Sequence, residues 1–114
     1  MRQYTGLRVD RHVTVLVDVA PLPLGPSLAI RGHSPDGYEW GYGGSGPAQL
    51  ALALLLDVSG DPDVAQRWYQ DFKAQVVARM ARDRWTMTEE YILKWLTATR
   101  AKADQAQASV GGAP

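Results

Sequence analysis

No cysteine occurs in the 114-residue chain, and that one absence removes disulfides, thiolate metal sites and thiol catalysis together. Histidine is nearly absent as well. Only His12 and His33 are present, at no spacing that suits a metal. Neither sign of charge is in excess, since twelve Lys plus Arg face twelve Asp plus Glu. No global field therefore argues for nucleic acid or an anionic membrane, and such binding would need a local patch. The longest unbroken apolar run, Leu50 to Leu56, falls far short of the roughly 20 residues a membrane span requires. The N-terminus, MRQYTGLRVD, lacks the apolar core of a signal peptide, so a cytoplasmic location is the default expectation.

What is present is a globular composition, 46% hydrophobic and 21% charged, in a chain long enough for one core. Its centre is the stretch Gly41 to Asp57, GYGGSGPAQLALALLLD. Glycines open it, Ser45 is placed to act as an N-cap, and Pro47 suits a first helical turn. After Gln49 come only Leu and Ala up to Asp57. A helix apolar all round is buried all round, so this is the expected central helix.

Upstream, Gln3 to Val9 and His12 to Val19 read as two strands, the second β-branched through Val13, Thr14, Val15 and Val17. The density of proline from Pro21 to Pro26 predicts an extended connection, and Leu28 to Ile30 a short third strand. Ser34-Pro35-Asp36-Gly37 has β-turn chemistry. Downstream, Asp61, Pro62 and Asp63 start a second helix. Its apolar stripe runs through Ala65, Trp68, Tyr69, Phe72, Val76 and Met80. The segment RMARDR ends it, and Thr86 or Thr88 caps a third helix, Thr86 with Glu89 as a capping box. The expected fold is α+β: a small antiparallel N-terminal sheet of two or three strands packed with three helices around the Leu/Ala helix. Residues 1–99 form the domain, and 100–114 a frayed helix end and flexible tail.

The run GYEWGYGGSGPAQLALALLLD, followed by DFK and then by W-T-x-T-E-x-x-I-x-x-W-L, resembles an uncharacterised family of small proteins of bacteria, their phages and plasmids. The resemblance covers roughly Ser34 to Leu96. It implies an accessory protein of such an element, and no catalytic or binding residues to transfer.

Three constellations are candidate sites. Gly41 to Gly46 spells G-x-G-x-x-G, but a second helix follows where a dinucleotide unit needs a strand. What remains is an anion held by free N–H groups at Gly44, Ser45 and Gly46, beside the simpler reading that the glycines permit close packing. Tyr38, Trp40 and Tyr42 alternate on a loop and, if exposed, form a partner surface; otherwise they cap the first helix. Arg79, Arg82 and Arg84 next to Trp85 offer phosphate contacts and a stacking platform, or a solvated helix end. Glu39 lies among aromatics and is expected to bond to backbone N–H groups or to an arginine such as Arg31. His33, Ser34 and Asp36 are too close in sequence to make a triad. These residues predict no catalytic group, no metal and no cofactor. They favour a non-enzymatic protein acting by protein–protein contact, of which an inhibitor of a host system is one form, and compatible with a homodimer. A nucleic-acid-binding regulator and a phosphate or small-molecule binder are the alternatives.

Overall fold

The computed structural model describes residues 1–111. β1 (Gln3–Val9) and β2 (His12–Val17) form a hairpin in which Val9 faces His12 and Tyr4 faces Val17. The two-residue turn closes without Asn-Gly because Asp10 takes φ +55°, which a short polar side chain tolerates. β2 stops at Val17, and Asp18 turns the chain at φ +53°. Val19, expected at the end of that strand, stands almost wholly in solvent.

A third strand exists, but elsewhere than expected. β3 is Ala20–Pro21, within the proline-rich connection, while Leu28 to Ile30 belongs to a short helix, α1 (Gly25–Ile30). Pro26 sits in the first turn of α1, where its fixed φ and missing N–H cost nothing. α2 (Ser45–Ser59) is the buried centre: Ala48 and every residue from Leu50 to Leu55 are at most 3% exposed. Each such leucine contributes about 1.5–3 kcal/mol by burial. The helix starts one residue earlier than a Ser45 cap requires. Gly44 is the cap residue, Ser45 is already helical and exposed, and no side chain caps this end. α2 closes on Gly60 in the left-handed region.

α3 (Pro62–Gln75) starts as expected, with Asp61 Oδ1 accepting from the Asp63 N–H at 2.9 Å. It ends earlier than the stripe implied. Val76 leaves helical geometry, one 3-10 turn follows (Val77–Arg79), and the chain runs out into β4 (Arg84–Thr88). β4 replaces the expected capping box. Thr86 lies in the strand, and Thr88 caps α4 (Glu89–Gly111), its Oγ1 accepting from the Tyr91 N–H at 3.1 Å. Residues 112–114 of the expected tail lie outside the described residues.

The sheet is antiparallel, in the order β3-β2-β1-β4. Its inner face, with Tyr4, Val15, Trp85 and Met87, joins the α2 leucines, Phe72 and Ile92 in one core. Gly6 faces Trp85 in the register, and a Cβ there would lie 2.1 Å from the Trp85 Nε1. Only glycine admits that indole. Asp57 near the end of α2 accepts from the Tyr4 hydroxyl and pairs with Arg2 at 3.3 Å, and Arg2 also pairs with Glu89 at 3.3 Å. One arginine thus ties β1 to the end of α2 and the start of α4. Among the described residues no helix is long and apolar enough to cross a membrane.

Candidate functional site

The aromatic loop is mostly core. Trp40 is fully buried, its Nε1–H donating to the Arg82 carbonyl at 2.8 Å and its ring meeting Trp85 edge-on at 5.7 Å. Tyr38 is buried too, donating to the Pro23 carbonyl at 2.7 Å, and its burial pushes the phenol up to about 12. Two of the three expected partner residues are therefore withdrawn from solvent. Tyr42 remains outside, 47% exposed.

Glu39 between them does meet an arginine, but Arg8 and not Arg31. The pair is two-pronged, at 2.6 and 3.0 Å, and the Arg8 guanidinium also lies 5.0 Å from the centre of the Trp40 ring. Hydrogen bonding from Arg8 holds the Glu39 carboxyl below its ordinary 4.5 against the opposing effect of burial. A depressed folded-state value means that the pair stabilises the fold above the unfolded carboxyl's range. That stability is lost as pH falls through the lowered value. Glu39→Gln should therefore flatten the acid limb of a stability–pH curve as pH falls through and below the ordinary carboxyl range. Urea melts of the two proteins falling in parallel over that range would contradict the assignment.

At the start of α2 the glycines serve close approach. A Cβ on Gly46 would stand 2.6 Å from the Glu39 Cβ, and one on Gly44 2.7 Å from the Tyr42 ring. Ser45 between them is exposed. The G-x-G-x-x-G letters are preceded by loop and followed, after α2, by α3, which is not a strand–helix–strand unit. His33 pairs with neither Ser34 nor Asp36; its Nε2 lies 2.7 Å from the Tyr69 hydroxyl. Burial first, then Arg31 and Lys73, holds its imidazole below the ordinary value. Among the described residues no three His, Asp or Glu side chains come together as a metal site.

The arginine cluster divides. Trp85 is 6% exposed and wedged between Gly6 and Trp40, so it offers no free face for a base. Arg82 gives its carbonyl to Trp40 and Arg8, and its charge acts on Glu39. Arg79 and Arg84 are exposed. The ion pairs among the described residues are Arg2–Asp57, Arg2–Glu89, Arg8–Glu39 and Lys94–Glu90, which leaves both without a carboxylate.

Arg79 lines an open groove of about 500 Å³, and Arg84 directly precedes Trp85 in its β4 wall. Val76 and Met80 line one side, Trp85 and Met87 of β4 the other, and Tyr91 from the first turn of α4 stands at the rim. Beside it runs an unpaired strand edge, and the ladder fixes which atoms face it. Arg8 N–H bonds to the Asp83 carbonyl and Glu89 N–H to the Arg2 carbonyl, both at 2.9 Å. In an antiparallel pair the bonded positions alternate, so Trp85 and Met87 bond to β1. Arg84 and Thr86 turn their N–H and C=O groups outward, toward the groove. The opposite edge of the sheet differs. There Leu22 N–H bonds to the Val15 carbonyl, which puts Pro21, with no N–H to offer, at the outward position of β3. One edge carries a proline, and the other lies open along a groove where Val76, Met80, Trp85 and Met87 are joined by Gln75, Arg79, Thr86 and Thr88.

Arg79, Arg84 and Trp85 stand out in the sequence, but the strand edge that Arg84 and Trp85 share does not. The signal was the alternation Arg84-Trp85-Thr86-Met87-Thr88, polar and apolar in turn, at the period of a strand. No curated protein and no solved structure matches the chain. The profile of a family of unknown function (DUF6166) matches residues 4–98, from the first strand well into the last helix, and the chain belongs to that family.

Proposed function

We propose that this protein is a non-enzymatic binding module that takes an extended segment of another protein as an additional strand beside β4. The observation that carries the reading is the outward main chain of Arg84 and Thr86, which lies along a groove that Val76, Met80, Trp85 and Met87 help to line. Strand addition needs both parts: main-chain groups supply affinity, and pockets for alternate side chains supply selectivity. Tyr91 and Arg79 at the rim are residue types that anchor interfaces. The resemblance to proteins of bacteria, phages and plasmids makes an accessory role in a cytoplasm, such as restraint of a host protein, the natural setting. A nucleic-acid role draws on the exposed Arg79, Arg82 and Arg84 alone, because Trp85 is enclosed.

Thr86→Pro tests the reading. The substitution deletes an outward N–H and leaves the bonds of Trp85 and Met87 to β1 in place, so thermal stability should change by no more than about 1 kcal/mol. In the unmodified protein the Arg84 and Thr86 amides should exchange quickly and those of Trp85 and Met87 slowly. An extended peptide should slow the first pair, and Thr86→Pro should weaken that peptide by about tenfold or more. Slow exchange at Arg84 and Thr86 in the free protein would show the edge already occupied and end the proposal.

A further inference from the structure

Resting on strand addition at β4, we infer that the segment this edge takes is acidic, with carboxylates on the outer face beside Arg84 and apolar side chains turned into the groove, at whose margin Arg79 adds a second positive charge. The charge around the groove is one-sided. No Asp or Glu lines it, while Arg79 does and Arg84 borders it on the open edge. Of the nearest acids along the chain, Glu89 is paired with Arg2 and Glu90 with Lys94, while Asp83 is exposed with no ion pair among the described residues. Arg84 on the open β4 edge and Arg79 in the groove beside it are thus among the cations that have no carboxylate partner among the described residues.

The alternation of a strand defines what such a segment offers. Arg84 and Thr86 share the outer face of the sheet, and Trp85 and Met87 the inner one. A residue set opposite Arg84 on the outer face makes a cross-strand pair, favourable for a carboxylate and unfavourable for a lysine. Its neighbours point inward, over Val76 and Met80, where apolar side chains displace water. A second copy of this chain is the poorer occupant. Its own inward residues, Trp85 and Met87, are already buried in their core and bring nothing to fill the groove. Each copy would also add Arg79 and Arg84 to a place that is already cationic.

Three synthetic peptides of one alternating pattern, valine with glutamate, glutamine or lysine and about seven residues long, separate the possibilities by calorimetric titration against the full chain. The glutamate peptide should bind about tenfold more tightly than the glutamine peptide, with the lysine peptide weakest. Raising the salt to about 0.5 M should erase most of that spread. Arg79→Glu combined with Arg84→Glu should reverse the order, and both side chains are exposed, so the melting temperature is a sufficient check on folding. Equal binding of all three peptides overturns the acidic partner and leaves strand addition standing. Failure of all three, with the Arg84 and Thr86 amides unprotected throughout, overturns both. Self-association that Thr86→Pro abolishes assigns the edge to a second copy and overturns the inference. Salt-dependent binding of a single-stranded oligonucleotide that the double charge reversal abolishes, without peptide binding, assigns the arginines to nucleic acid and overturns it as well.

Discussion

Trp40→Ala is expected to destabilise the protein by about 3–5 kcal/mol, which for a chain of this length lowers the melting temperature by roughly 10–20 °C. Three losses coincide at this residue. Its ring is wholly enclosed, so truncation leaves a cavity that the surrounding elements cannot collapse to fill. Its N–H satisfies the Arg82 carbonyl, which also accepts from the Arg8 Nε at 3.1 Å. Its face carries the Arg8 guanidinium, and its edge-on contact holds Trp85 over Gly6. Trp40→Phe separates the packing from the hydrogen bond, and it should recover more than half of the loss. The same change should reach the β4 edge, because Trp85 is both a neighbour of Trp40 and a wall of the groove. Slow-exchanging Trp85 and Met87 amides should then become fast in Trp40→Ala. A measured cost below about 1 kcal/mol would show that the aromatic loop lies outside the cooperative core.

The features that can be read from the sequence are those whose cause is local. The hairpin follows from β-branched residues either side of Asp10-Arg11, and α3 follows from Asp61, Pro62 and Asp63, which act within one turn. The buried character of α2 is written in its composition, because no face of it carries a charge before Asp57. The elements that escaped have mixed or short signals. α1 spans only Gly25–Ile30, less than two turns, and over so few residues Leu28-Ala29-Ile30 fits strand or helix equally well. β4 follows directly on basic residues that suit a helix end, and its own alternation covers five positions. The site was harder still. Arg8 finds Glu39 across 31 residues of chain, and Arg8 meets the Asp83 carbonyl across a longer span. Neither pairing leaves a mark in spacing. The open edge exists only because β1 lies between β2 and β4, a matter of topology that no short segment encodes.

Gln49→Leu is expected to cost about 2–4 kcal/mol although it replaces a polar side chain in the core by an apolar one of similar size. Gln49 is wholly buried, and it is the one amide in a helix face otherwise lined with Ala and Leu. Its Oε1 accepts from the His33 N–H at 2.7 Å and the Ser34 N–H at 3.1 Å, and its Nε2 donates to the Ser27 Oγ at 2.9 Å. Ser27 in turn donates to the Leu24 carbonyl at 3.0 Å. The side chain therefore stands in for backbone partners that the loop after α1 cannot find for itself. Leucine would fill the space and leave two loop N–H groups unsatisfied, and a buried donor without a partner costs more than the hydrogen bond was worth. The loss should be local in its consequences. His33, 2.7 Å from the Tyr69 hydroxyl, should be released and its imidazole should move up toward the ordinary value as its burial falls. Peptide binding at β4, on the far side of Trp85, should persist at temperatures where the variant is folded. An unchanged melting temperature together with an unshifted His33 titration would mean that the loop from Arg31 to Gly37 is held by something other than this amide.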